Sequence, residues 1–275
     1  MGSTLLQNTA NRQDCYRYHS GIKAISCASL PTRYNAAMNA ITDNLADVLT
    51  RIAEYAERHG RQAADVRLLA VSKTKPVADI RAAYAAGQTL FGENYLQEAI
   101  GKIQALADLP LSWHFIGGIQ SNKTRAIAAH FDWVHTLASE KHARRLDRQR
   151  PEGLAPLKVC IQVNTSGESS KGGIEPDELG PLLRAVDGLK RLEVRGLMTI
   201  PAPSQRFEEQ RRPFRLLHTL LDRHRADYPA LDTLSMGMSG DLEAAIAEGA
   251  TIVRIGTAIF GPRNPSTPTT EERHP

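Results

Sequence analysis

Two rhythms of apolar residues run along this chain. Ile41, Leu45, Val48, Leu49, Ile52 and Tyr55 recur at helical spacing, which predicts a helix over 39–59 that Gly60 terminates. From there short apolar runs alternate with helical stretches eight times. The predicted strands cover 67–72, 89–91, 112–116, 132–136, 157–163, 193–199, 231–235 and 251–255. Helices are predicted after the first seven, over 77–86, 94–107, 121–130, 139–149, 176–187, 205–227 and 239–248. Short strands alternating with helices indicate parallel βαβ units, and eight of them close a (β/α)8 barrel of the TIM type. The helix over 39–59 is an extra element that covers the bottom or the side. A doubly wound open sheet is the competing arrangement, but neither GxGxxG nor GxxxxGK[ST] comes after any strand.

The ends differ from this middle. Residues 1–37 are polar, carry a single acid (Asp14) and show no sustained periodicity. They read as a disordered leader, a transit-like peptide or sequence upstream of a start at Met38, and the onset of periodicity just after Met38 favours the last. The Pro-containing tail over 264–275 is predicted to be disordered, which leaves 38–263 as one barrel domain. Apolar residues make up 41% and charged residues 23%, as in ordinary globular proteins, and no apolar run is long enough to span a bilayer. A net charge of +4 tolerates an anionic ligand without demanding nucleic acid, since the basic clusters over 144–150 and 206–215 are mixed with acids and lack interleaved aromatics. Cys15, Cys27 and Cys160 match no zinc or disulfide spacing, which fits a reducing, cytoplasmic setting and predicts no metal. No apolar helix face is left over for a partner copy, so a monomer is expected.

In a barrel, functional groups sit at the C-terminal ends of the strands. Strand one ends in Lys73, with Pro76 beyond it at a position that suits a first helical turn. Desolvation at the mouth of an apolar strand favours a neutral amine, the form that makes a Schiff base with an aldehyde. Most strand-end lysines simply extend into solvent, so Lys73 gains weight only from the other strand ends. Strand two leads into Gly92-Glu93-Asn94, strand three carries His114, strand six ends in Met198, and strand seven leads through Ser235 and Gly237 to Ser239. Arg254, Gly256 and Thr257 close strand eight. The loops after strands seven and eight are the common phosphate site of such barrels, and Ser239, Gly256 and Thr257 supply hydroxyls and close backbone approach. Ser239 also reads as an ordinary helix N-cap, with Asp241 and Glu243 behind it as carboxylates that would repel a phosphate. A Schiff-base lysine on strand one and a phosphate cup on strands seven and eight together fit pyridoxal 5′-phosphate. Arg254 would then face either the pyridine nitrogen, keeping it unprotonated, or the phosphate.

The motifs that carry these residues are AVSKTKP (70–76), FGENYLQE (91–98), WHFIG (113–117), IQSNK (119–123), RGLMTIP (195–201), LSMGMSGDLEAAI (234–246) and VRIGTAIFG (253–261). On them the chain resembles the pyridoxal phosphate homeostasis protein family over about 38–263. The fold of that family is similar to the barrel domain of alanine racemase. Gly118-Ile119 and Gly240 depart from the family pattern without removing a functional group. The resemblance implies that Lys73 holds the cofactor as a Schiff base, with phosphate contacts from Ser239, Gly256 and Thr257 and with Arg254 nearby. It implies that Asn94, His114 and Met198 line the cofactor face, and it gives Lys171 a counterpart in the loop after strand five. It also implies a non-enzymatic role in vitamin B6 and amino-acid homeostasis, as a carrier or buffer whose recipients are apo forms of enzymes that use the cofactor. A weak amino-acid racemase is the alternative. Racemisation requires acid–base groups on both faces of the bound substrate, and Tyr84 and Tyr95 fall in predicted helices and Tyr228 at the end of one.

Overall fold

Runs such as Leu68-Leu69-Ala70, each no more than 5% exposed, need cover on both faces, and a closed parallel sheet ringed by helices supplies it. The computed structural model describes residues 32–168 and 171–262. A leading helix, α1 (Thr32–Arg58), precedes eight strands: β1 (Arg67–Val71), β2 (Leu90–Glu93), β3 (Ser112–Phe115), β4 (Trp133–Leu137), β5 (Leu157–Gln162), β6 (Leu192–Met198), β7 (Thr233–Ser235) and β8 (Ile252–Ile255). The strands pair in parallel in sequence order and β8 returns to β1, with Arg67 opposite Ile252 and Ala70 opposite Ile255. The eight predicted strands all form, including the short second and fourth. The helices between them are α2 (Val77–Ala85), α3 (Leu96–Ala105), α4 (Thr124–His130), α5 (Glu140–Gln149), α6 (Leu179–Val186), α7 (Phe207–Arg225) and α8 (Leu242–Ala247). A single turn, α9 (Thr257–Phe260), comes after β8. No helix among the described residues is long and apolar enough to cross a membrane.

One turn after β8 is too short to cover the seam where the barrel closes. The leading helix takes that place. Its buried stripe of Ile41, Leu45, Val48, Ile52 and Ala56 packs against α2, α8 and α9. The Asn44 side chain donates to the Ile259 carbonyl at 3.0 Å, and Arg58 pairs with Glu243 at 2.7 Å. Between the two coverings proposed for the extra helix, the side is the one formed. Its backbone starts at Thr32, upstream of the expected onset after Met38, because a helical extension without an apolar stripe leaves no periodic signal. The rest of the leader, 1–31, and the tail over 264–275 lie outside the described residues.

The barrel interior holds a row of polar side chains. Ser112 Oγ lies 3.2 Å from His114 Nε2, His114 Nδ1 lies 2.8 Å from His135 Nε2, and His135 Nδ1 lies 2.7 Å from Ser235 Oγ. Arg254 Nη1 donates to the same Ser235 oxygen at 2.7 Å. The contact from β4 to β7 crosses the interior between strands that are not neighbours. Trp133 stacks on His114 with centroids 5.4 Å apart, and Arg67 and Lys158 lie over its ring. Burial and those two cations push His114 down to about 3, and burial next to His114 and Arg254 pushes His135 well below its ordinary range.

This packing makes two predictions. A Cβ on Gly196 would stand 1.9 Å from the Thr233 carbonyl oxygen, so β6 and β7 meet here only because the side chain is missing. Gly196→Ala is expected to destabilise the protein by about 1–3 kcal/mol in chemical denaturation; an unchanged midpoint would mean that the two strands do not approach so closely. Both buried histidines are held neutral, so below their ordinary 6.5 the unfolded chain binds more protons than the folded one. Stability is therefore complete above pH 6.5 and falls as pH drops, by up to ~1.4 kcal/mol per unit for each ring. His135→Gln should flatten that slope in denaturation curves taken between about pH 6.5 and 5, and a slope equal to wild type would mean that His135 is already protonated.

Candidate functional site

At the C-terminal mouth of the barrel lies a cavity of about 370 Å³, lined on its polar side by Lys73, Asn94, Ser239, Arg254 and Thr257. Of the eight residues expected to contact a cofactor, it gathers seven: these five together with Met198 and Gly256. Val71, Ile116, Ile200 and Met238 add apolar walls. His114 is the exception. It is fully buried and does not line the cavity. Its strand continues past it to Phe115, which leaves the His114 ring one layer below the mouth, bonded to His135 and Ser112. Lys171 lies in the loop after β5, where its backbone N–H donates to the Glu168 carbonyl at 3.0 Å; its side chain is not part of the cavity wall.

Lys73 occupies a tight turn between β1 and α2. Lys75 N–H donates to the Ser72 carbonyl at 3.0 Å, and Thr74 sits at φ 63. A β-branched residue in the left-handed region costs about 1–3 kcal/mol and persists only when its surroundings enforce it. Three side chains do so. Glu98 accepts the Thr74 N–H at 2.6 Å, Glu93 accepts the Ser72 hydroxyl at 2.6 Å, and Lys102 donates to the Ser72 carbonyl at 2.7 Å. Lys102 also bridges Glu93 and Glu98. Strand β2 runs to Glu93, past its expected end at 91, and carries that carboxylate into this network, away from the mouth. Burial raises the Glu93 carboxyl above its ordinary range while Lys102 opposes the rise. The turn below Lys73 is thus fastened by a carboxylate–ammonium–carboxylate group in which Glu93 and Lys102 are buried and Glu98 is half-buried.

On the opposite wall Arg254 is 5% exposed. Its guanidinium donates to Ser235 Oγ and, at 2.8 Å, to the Thr199 carbonyl. Burial lowers it to about 10, so it stays a cation at neutral pH. No carboxylate lies within ion-pair distance of it among the described residues, although the Asp241 carboxylate favours its charged form from farther away. Such a charge favours an acceptor or an anion.

The loop after β7 resolves the competing readings of Ser239. Helix α8 starts at Leu242, three residues later than expected, and Asp241 is its N-cap. Asp241 Oδ1 accepts the Met238 N–H at 2.6 Å, which folds the loop back and leaves the exposed Ser239 at the rim of the cavity. Glu243 turns outward to Arg58 and His59, so its charge is met by α1. Gly237, at φ 95, would place a Cβ 2.5 Å from the Ala245 Cβ, so the loop packs on α8 only with glycine there. Among the described residues no group of three or more His, Cys, Asp or Glu side chains could hold a metal ion. Cys160 is buried, and its thiol is pushed up to about 12 by burial.

Residues 44–264 match the family described as alanine racemase, N-terminal domain. The pyridoxal phosphate homeostasis protein of Pseudomonas aeruginosa is 59% identical over 232 residues, which cover 84% of this chain and 99% of that protein. The corresponding protein of Escherichia coli K12 is 51% identical over 82% of this chain and 98% of its own length. Among solved structures, PipY of Synechococcus elongatus with pyridoxal phosphate bound is 42% identical, covers 76% of this chain and all of its own (100%), and superposes with a TM-score of 0.67. The alanine racemase of Corynebacterium glutamicum, at 18% identity and a TM-score of 0.62, shares the barrel over 82% of this chain and 62% of its own. Sequence identity of this extent over nearly the whole length of its relatives, joined to the closed barrel and its mouth, places the chain in the pyridoxal phosphate homeostasis protein family.

Proposed function

We propose that this protein binds pyridoxal 5′-phosphate in the mouth cavity and serves intracellular vitamin B6 and amino-acid homeostasis as a carrier or buffer. The observation that carries this reading is the convergence on one cavity of a lysine amine, a buried guanidinium without a carboxylate partner, and the Ser239 and Gly256-Thr257 loops. When bound, the cofactor brings an aldehyde that condenses reversibly with a primary amine with loss of water, a pyridine nitrogen and a phosphate. Lys73 supplies the amine, and its fastened turn fixes the direction of approach. Ser239 and Thr257 offer hydroxyl donors to the phosphate, and Gly256 lets it approach the backbone. Arg254, a permanent donor in the same wall, would serve the ring nitrogen, and Asn94 and Met198 would hold the ring.

A carrier is favoured over a racemase by what the cavity wall contains. Among the described residues that wall includes no tyrosine, histidine, cysteine or carboxylate to act opposite Lys73. Tyr84 lies on α2, Tyr95 precedes α3, and Tyr228 lines a separate hollow beside α6 and β6. Two-face proton transfer needs that second group. A cationic donor at the ring nitrogen further weakens the electron sink that carbanion chemistry relies on. Apo forms of enzymes that use the cofactor are the recipients in this reading.

Adding pyridoxal phosphate to the purified protein should produce a visible absorption band, and borohydride reduction with subsequent peptide mapping should place the label on Lys73. Lys73→Ala should abolish both, and a band that survives unchanged would remove Lys73 as the anchor. Arg254→Gln should weaken retention of the cofactor about tenfold or more in equilibrium dialysis, as expected when a buried charge-assisted contact is lost; an unaltered dissociation constant would make the arginine purely structural. On the same wild-type sample, amino-acid enantiomers should not interconvert faster than with free cofactor. Faster interconversion would favour the racemase.

A further inference from the structure

We infer that Ser235, His135 and His114 are positioning residues for Arg254: they form a one-way row of hydrogen bonds that holds its guanidinium as a fixed, undischarged donor toward the cavity. Donor and acceptor counts set the direction. A guanidinium has donors only, so Ser235 Oγ accepts from Arg254. The serine proton then needs an acceptor, and His135 Nδ1 stands at 2.7 Å. A neutral ring that accepts at Nδ1 carries its proton on Nε2, which lies 2.8 Å from His114 Nδ1. By the same rule His114 is protonated at Nε2 and donates to Ser112 Oγ, at the half-buried lower end.

The reverse arrangement fails at one atom. If His135 donated from Nδ1, Ser235 Oγ would accept from two sides and its own proton would be left buried without an acceptor. Such a group costs about 1–3 kcal/mol. Every proton is satisfied in one direction only, from Arg254 toward Ser112. The row contains no carboxylate, so no member of it can take up the charge of the arginine. The second anchor of the guanidinium, the Thr199 carbonyl, is also neutral. Trp133, stacked on His114 under Arg67 and Lys158, closes the lower end. The row therefore fixes where Arg254 points and preserves its charge, and so sets what the cavity does to the ring nitrogen of a bound pyridine. This last step rests on the cofactor reading, whereas the direction of the row does not.

The test has one arm for each. Nitrogen-15 NMR of the imidazole rings in the cofactor-free protein should show both His135 and His114 protonated at Nε2 alone, and an Nδ1-protonated ring at either position would overturn the row. In the second arm pyridoxal phosphate is added. His135→Leu leaves the Ser235 proton without an acceptor, and should shift the visible absorption maximum and weaken retention about tenfold. His135→Gln, whose amide both accepts and donates, should recover most of the wild-type spectrum. Should His135→Leu fail to fold, Ser235→Ala cuts the row next to Arg254 without touching the histidines and should give the same shift. Wild-type spectrum and affinity in a folded His135→Leu or Ser235→Ala would overturn the positioning role. Failure of the wild-type protein to form the band would instead refute the cofactor reading while the NMR arm still judges the row.

Discussion

A guanidinium enclosed by protein with no carboxylate in direct contact is an unusual thing to build, because a buried charge loses most of its hydration and Asp241 acts on it only from farther away. Here the loss is offset by a serine hydroxyl and a backbone carbonyl, and the residue also lines the cavity. Much of the interior is a consequence of that requirement. The serine must have an acceptor, the acceptor must be neutral, and a neutral histidine within the barrel in turn needs a second partner. A hydrophobic interior of the kind common in such barrels would leave Arg254 unsupported.

Lys73 is handled differently. Its position is set through the backbone, and the charged groups that fasten its turn come from behind. Glu93, Lys102 and Glu98 belong to β2 and α3 and enforce a left-handed threonine next to the lysine. The two ends of the cavity thus have separate designs: a lysine on a turn fastened from behind, and an arginine held by a polar row.

The barrel is legible in the sequence because parallel strands are covered on both faces and so stand out as short apolar runs between amphipathic helices. Boundaries are less so. Helices α4 and α8 begin three residues after their expected starts, since side chains in the preceding loops, such as Asp241, hold the backbone in turns that no periodicity reveals. Six of the seven cavity residues are legible because each stands at or just beyond a strand's C-terminal end, and the seventh, Arg254, is one residue before the end of β8. His114 stands at the same position relative to the end of β3 as Arg254 does to the end of β8, yet its ring is fully buried against His135 and Ser112 and does not reach the cavity. Ser235 reads only as part of the Ser239 loop, and His135 carries no signal at all, because a buried histidine in an apolar strand resembles any other interruption. Glu98 is a helix residue whose partner, the Thr74 N–H, is a backbone group and leaves no trace in the sequence.

The helix that seals the barrel is the first element of the domain, while two of the three helices it packs on, α8 and α9, are the last. Asn44 reaches Ile259, 215 residues later. During synthesis the apolar stripe of α1 therefore meets α2 early but emerges long before α8 and α9 exist to complete its cover, which waits until β8 has left the ribosome. Closure of the sheet and docking of α1 become one late event, so the cavity that spans β1 and β8 is completed only when the whole barrel chain is present.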